Sequence, residues 1–273
     1  VSRIAARFAA LRAEGRGALI PFLEAYDPDL ATSTAILAGM PGAGADLIEI
    51  GMPFTDPMAD GPTIQLAGRR GLLAGATLAG TLDMVRAFRA GDADTPIVLM
   101  GYLNPILAYG VARFCVDASV AGVDGLIVVD LPSEEADLLA ADAAANGLDI
   151  VRLVAPTTDD ARLATVLRGS SGFVYYVSIA GITGTRTASA DELARAIPRI
   201  RAVTDLPVAI GFGVRSPAQA AEAVRAADGA VVASALIDTL AGSLIDGCAG
   251  PRSVEMFLDQ VRALAGAVRG ARA

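Results

Sequence analysis

Short apolar runs alternate with Ala-rich helical stretches along the whole chain, and this alternation restricts the fold more than any other feature. Strands are expected at residues 18–22, 47–51, 97–101, 125–129, 149–153, 173–177, 208–211 and 230–233. Helices are expected over about 32–40, 63–73, 78–90, 106–121, 134–146, 160–168, 190–204 and 217–226, with a last one over 251–268. A weak repeat marks the joints: AGADLIEIG from Ala43, AGVDGLIVV from Ala121 and AADGAVVAS from Ala226. In each, a small residue or Gly ends a helix, an Asp follows, and an apolar strand begins; Gly suits the left-handed turn that ends a helix. Eight such units predict an α/β protein of the (β/α)8 barrel type, with an extra N-terminal helix and a short helix after the eighth strand. An open doubly wound sheet is the alternative, but no GxGxxG follows the first strand. With no linker or low-complexity stretch, residues 1–273 are expected to form one barrel domain.

Composition narrows the chemistry. The chain has no histidine, which excludes Ser-His-Asp and Cys-His nucleophiles and His-ligated metals. Proton transfer is left to carboxylates, Tyr and water. Two distant cysteines, Cys115 and Cys248, without CxxC spacing, read as reduced thiols of a cytoplasmic protein. A net charge of −8 argues against nucleic acid as a partner, and no apolar run is long enough for a membrane span. The Arg-bearing start reads as a first helix rather than a transit segment, because it includes Glu14 and runs directly into a strand.

The segment DLIEIGMPFTDPMADGPTIQ, from Asp46, carries the strongest chemical signal. Strand periodicity puts Leu47, Glu49 and Gly51 on one face and Ile48 and Ile50 on the other. The Ile face suits packing against helices, which turns Glu49 inward. A buried carboxylate must find a partner or raise its pKa, and raised carboxyl pKa values serve acid/base chemistry. Two readings of Glu49 stand: a general acid/base, or a structural group paired with a buried Arg. Asp60 is either a second site carboxylate or a cap for the helix that begins near Pro62. Tyr175, Phe22 and Phe212 are site residues or plain core, and Asp130 reads as structural. Glycine-rich turns after the sixth and seventh strands, around Gly184 and Gly213, and the helix opening at Ser234 could together hold a phosphate.

The run IEIGMPFTDPMADGPTIQ closely resembles the signature of the tryptophan synthase alpha chain family. PIVLMGYLNPI, GVDGLIVVDLP, GFVYYVSIAGITGT and LPVAIGFGV match its pattern in order, over essentially the whole chain. The resemblance implies a carbon–carbon lyase that cleaves indole-3-glycerol phosphate to indole and glyceraldehyde 3-phosphate in tryptophan biosynthesis. It implies Glu49 as general acid/base, Asp60 as the carboxylate facing the indole N–H, and Tyr175 near Glu49. Phe22, Met100, Ile127, Val129, Leu153, Thr183 and Phe212 would enclose the indole. Gly184, Gly213 and Ser234 would hold the phosphate. The loop around Asp56 and the one through Thr183 would close over the site and signal to a beta chain in an α2β2 heterotetramer. No metal or other cofactor is implied. A free-standing lyase and a catalytically weak regulatory subunit are the alternatives. There are three departures from the family pattern: Glu24 and Tyr26 stand where Thr or Met and Gly are usual, Ala233 replaces a Gly, and Arg186 is added after the sixth strand.

Overall fold

The computed structural model describes residues 2–177, 190–211 and 213–272. Its strands are β1 (Ala18–Glu24), β2 (Ile48–Gly51), β3 (Ile97–Gly101), β4 (Gly125–Val128), β5 (Asp149–Ile150), β6 (Arg152–Val154), β7 (Val174–Val177), β8 (Val208–Gly211) and β9 (Gly229–Val232). They form one parallel sheet in the order β5-β4-β3-β2-β1-β9-β8-β7-β6. The two ends of that order are halves of the fifth expected strand, parted only by Val151. One half pairs with β4 and the other with β7, so the sheet curves back on itself as a barrel. Val151 keeps the seam intact by donating its N–H to the Leu126 carbonyl at 3.0 Å.

Alternation along the strands separates two cores. Ile48 and Ile50 join Leu19, Leu23, Leu99 and the inner faces of the helices. Ile20, Leu47, Val98, Ile127, Phe173, Tyr175 and Val231 fill the barrel interior. The N-terminal helix Arg3–Ala13 closes the amino end: Ile4, Phe8 and Leu11 join the interior cluster, and the Phe8 and Phe173 rings lie 5.8 Å apart. That leaves the carboxyl ends of the strands as the open mouth.

The repeated Asp at the joints has a specific task. Asp46 accepts the N–H of Leu19 at 2.9 Å, Asp124 that of Ile97 at 2.8 Å, and Asp228 that of Val208 at 2.9 Å. Each carboxylate thus ties the start of its own strand to the start of a neighbour. Arginines neutralise them: Arg16 binds Asp46, Arg3 and Arg89 bind Asp124, and Arg201 binds Asp228. Gly44 and Gly122, at φ 106° and 93°, supply the left-handed turn before two of these joints.

The helix expected over 106–121 is two helices, Leu103–Tyr109 and Val111–Ala121. Gly110 parts them at φ 93°, a conformation no helix interior contains. The stretch expected as one helix over 134–146 is likewise a 3₁₀ turn, Ser133–Leu138, followed by the helix Ala140–Ala145. Tyr26 sits at φ 63°, a left-handed conformation that glycine adopts more readily than tyrosine. Its side chain packs on the glycine of the next helical layer, with its hydroxyl 2.3 Å from where a Cβ on Gly80 would stand. Ala233 has φ −116°, so the extra methyl group there meets no backbone strain.

Candidate active site

Glu49 stands in the middle of β2, opposite Phe22 of β1 and Val98 of β3. It is 1% exposed, and its Oε2 has no hydrogen-bond partner among the described residues. No arginine among the described residues pairs with it. Burial, with the negative charge of Asp60 nearby, pushes its carboxyl up to about 8.

Asp60 lies across the cavity mouth, on the loop before the helix Pro62–Leu73. That helix is capped by Gly61 without a side-chain bond, so Asp60 does not serve as its cap. Its backbone is fixed instead: its N–H donates to Pro57 O at 3.1 Å, and its carbonyl accepts from Gln65 Nε2 at 2.9 Å. Burial raises the Asp60 carboxyl to about 6, while a hydrogen bond from the Tyr102 hydroxyl opposes the rise. Tyr102 also accepts the Ala59 N–H at 3.0 Å and stacks 5.5 Å from Phe54, so one ring pins both the loop and its carboxylate.

Glu49 and Asp60 line one cavity together with Phe22, Met100 and Tyr175. Gly213, at φ 81°, and Ser234, which opens the helix Ser234–Gly242, line it too. Tyr175 is 3% exposed, and its ring lies against Gly211, where an added Cβ would meet the hydroxyl at 2.2 Å. The cavity thus combines two carboxyls, apolar walls and the N-terminus of a helix, and a helix N-terminus suits an anion.

Of the expected site residues, Ile127 is fully buried in the barrel interior beside Met100 and does not line this cavity. Thr183, Gly184 and Phe212, with Arg186, lie outside the described residues. Asp130 is structural, as read: it accepts the Leu103 N–H at 2.8 Å and caps the helix beginning there. Tyr102 and Ile64 were not singled out from the sequence. Tyr102 stands within the GYLNPI motif, one residue past the end of β3, a position at which barrel side chains reach the mouth. Arg215, also on the cavity wall, is bound to Asp238 at 2.5 Å.

The family model described as the tryptophan synthase alpha chain matches residues 8–264. The chain belongs to that family. A tryptophan synthase alpha chain from Granulibacter bethesdensis is 73% identical over 272 residues, covering 100% of this chain and 98% of the relative. One from a Caulobacter species is 55% identical, covering 99% and 97%. Among solved structures, the tryptophan synthase alpha subunit of Legionella pneumophila superposes with a TM-score of 0.90 at 35% identity, covering 98% of both chains. A chain of Mycobacterium tuberculosis tryptophan synthase gives 0.89 at 38% identity, covering 98% of this chain and 99% of the other. Alpha chains cleave indole-3-glycerol phosphate in tryptophan biosynthesis, and this chain is a carbon–carbon lyase of that kind.

Proposed function

We propose that Glu49 is the general acid/base of this cleavage and Asp60 the carboxylate that meets the indole N–H. Glu49 in its neutral form gives its proton to indole C3. It then takes the proton of the hydroxyl on the adjoining side-chain carbon; the bond from that carbon to C3 breaks and the aldehyde leaves. Asp60, as an anion, stabilises the positive charge that C3 protonation puts on the ring nitrogen. The observation that carries this reading is the buried Glu49 carboxyl, whose Oε2 has no hydrogen-bond partner among the described residues and whose pKa burial raises to about 8, in a cavity that also contains an ionisable Asp60. Two carboxyls with different surroundings can divide acid and anion roles in this way.

Gly213 and Ser234, with Gly184, hold the phosphate in this reading, and that anchoring orients the reacting carbons. Phe22, Met100, Thr183 and Phe212 enclose the ring, and Tyr175 keeps Glu49 in place. The whole chain, residues 1–273, works as one barrel domain paired with a beta chain in an α2β2 assembly. The loop around Asp56 takes part in that pairing. The site of action is the cytoplasm, in keeping with the free thiols of Cys115 and the exposed Cys248. The test is indole release by the purified chain, alone and with a beta chain. Acceleration by the beta chain supports the subunit reading, equal rates favour a free-standing lyase, and silence in both overturns the catalytic one.

A bell-shaped pH profile follows. Below about 6 the Asp60 carboxylate is lost, and above about 8 Glu49 no longer has a proton to give. The kcat/KM profile of the free enzyme should therefore fall on both sides of a maximum near neutrality, with both limbs belonging to the interacting pair. Asp60→Asn should remove the acid limb and lower turnover less than substitution of Glu49. An Asp60→Asn enzyme with unchanged rate and profile would return Asp60 to a purely structural role.

A further inference from the structure

A second lobe shares walls with the active-site cavity, and it contains a carboxyl, that of Glu24, which the lyase chemistry does not use. Phe22, Asp60, Ile64 and Met100 form the boundary between the lobes. Beyond them the walls are Met52, Phe54, Tyr102 and Val129, all apolar or aromatic, and one carboxyl, that of Glu24. The lobe has about 20 Å³ of free space, room for a single water-sized group.

Glu24 ends β1 and is 4% exposed. Its carboxyl lies over two glycines that leave room for it. A Cβ on Gly51 would stand 2.1 Å from its Oε2, and one on Gly68 would stand 3.5 Å from its Oε1. The cation whose field it feels, Arg70, is already engaged by Asp27 through two hydrogen bonds of 2.6 and 2.9 Å. No hydrogen bond or ion pair to the Glu24 carboxyl forms among the described residues. Burial and the nearby charges of Asp60 and Asp27 hold its carboxyl well above the usual range, which favours the protonated form, a form that both donates and accepts.

The sharing of walls bears on what such a carboxyl meets. Glu49, Gly213 and Ser234 line the main lobe, Glu24 lines the second, and Asp60 lines both. On the reading above, a ring whose N–H meets Asp60 has an edge beside the second lobe, because Asp60 lines both lobes. We propose that Glu24 is a specificity-determining residue, selecting indole rings that carry a small hydrogen-bonding substituent, a hydroxyl or an amine, on the edge entering this lobe. A methyl group of similar size would leave the buried carboxyl without a partner, and that is the penalised outcome.

This inference rests on the lyase reading above, and the condensing direction tests it. There indole C3 bonds to the aldehyde carbon of glyceraldehyde 3-phosphate, C3 loses its hydrogen as a proton, and the aldehyde oxygen gains one. The four hydroxyindoles substituted at positions 4 to 7 and the four matching methylindoles are compared by kcat/KM. At one ring position the unaltered chain should favour hydroxyl over methyl by about tenfold or more. Glu24→Leu should bring that ratio down by about tenfold, whereas Glu24→Gln, which still donates and accepts, should keep it within about threefold. Should the Leu variant fail to fold, Glu24→Met is read by the same ratio. Ratios that match between the unaltered chain and the apolar variant at all four positions overturn the proposal. The lyase reading fails by a different sign: Glu49→Gln condensing unsubstituted indole as fast as the unaltered chain.

Discussion

Glu49→Gln should yield a protein that folds normally and releases indole about 10²–10⁴-fold more slowly, the usual worth of a positioned acid/base group. The fold should survive for a specific reason. With its carboxyl raised to about 8, Glu49 is largely neutral at pH 7, and its Oε2 makes no hydrogen bond among the described residues. Gln is neutral and of nearly the same shape, so the substitution breaks no ion pair and leaves Phe22 and Val98 their neighbour. What disappears is the proton that can be given and taken back. The measurement is indole release beside a thermal melt. A variant that melts like the unaltered chain yet keeps more than a tenth of its rate would deny Glu49 the central role. A collapsed fold would contradict its neutral state.

The orientation of Glu49 was legible in the sequence because strand alternation is strict. Ile48 and Ile50 claim the helix-facing side, so Glu49 must face in. The barrel was legible for a similar reason, since the Asp at each joint bridges two strand starts and therefore recurs with the unit. Other features depend on distances that no periodicity encodes. Tyr102 matters because the loop from Pro53 to Asp60 folds back onto its hydroxyl, a contact set by tertiary packing. Ile127 faces inward as alternation requires, yet lies in the buried interior layer; how deep each inward residue stands depends on the stagger between strands. The split at Val151 has the same origin. Its two neighbours pair with different strands, and a sequence of uniform β character does not show where that exchange occurs.

Arg70→Leu should destabilise the protein by about 3–5 kcal/mol at neutral pH, the cost of leaving a buried charge without its partner. Asp27 is 0% exposed and is held by Arg70 through Nε and Nη2, at 2.6 and 2.9 Å. The pair joins the loop after β1 to the helix Pro62–Leu73, whose Gly71 packs so closely on the Ala25 carbonyl that a Cβ there would lie 2.5 Å from it. Nothing else described nearby can take over the charge, because Glu24 is itself a carboxyl. The pH dependence distinguishes this cause from a simple loss of packing. Even with Arg70 present, burial raises the Asp27 carboxyl above its ordinary 3.8, and loss of the guanidinium raises it further. A group with a raised folded pKa favours the fold when protonated, and that contribution is lost as pH climbs through the folded value. The variant's deficit in urea unfolding should therefore be largest near pH 7–8 and shrink toward pH 4, where Asp27 binds its proton. A deficit that is the same at both pH values would assign the effect to the packing of the Arg70 side chain rather than to its charge.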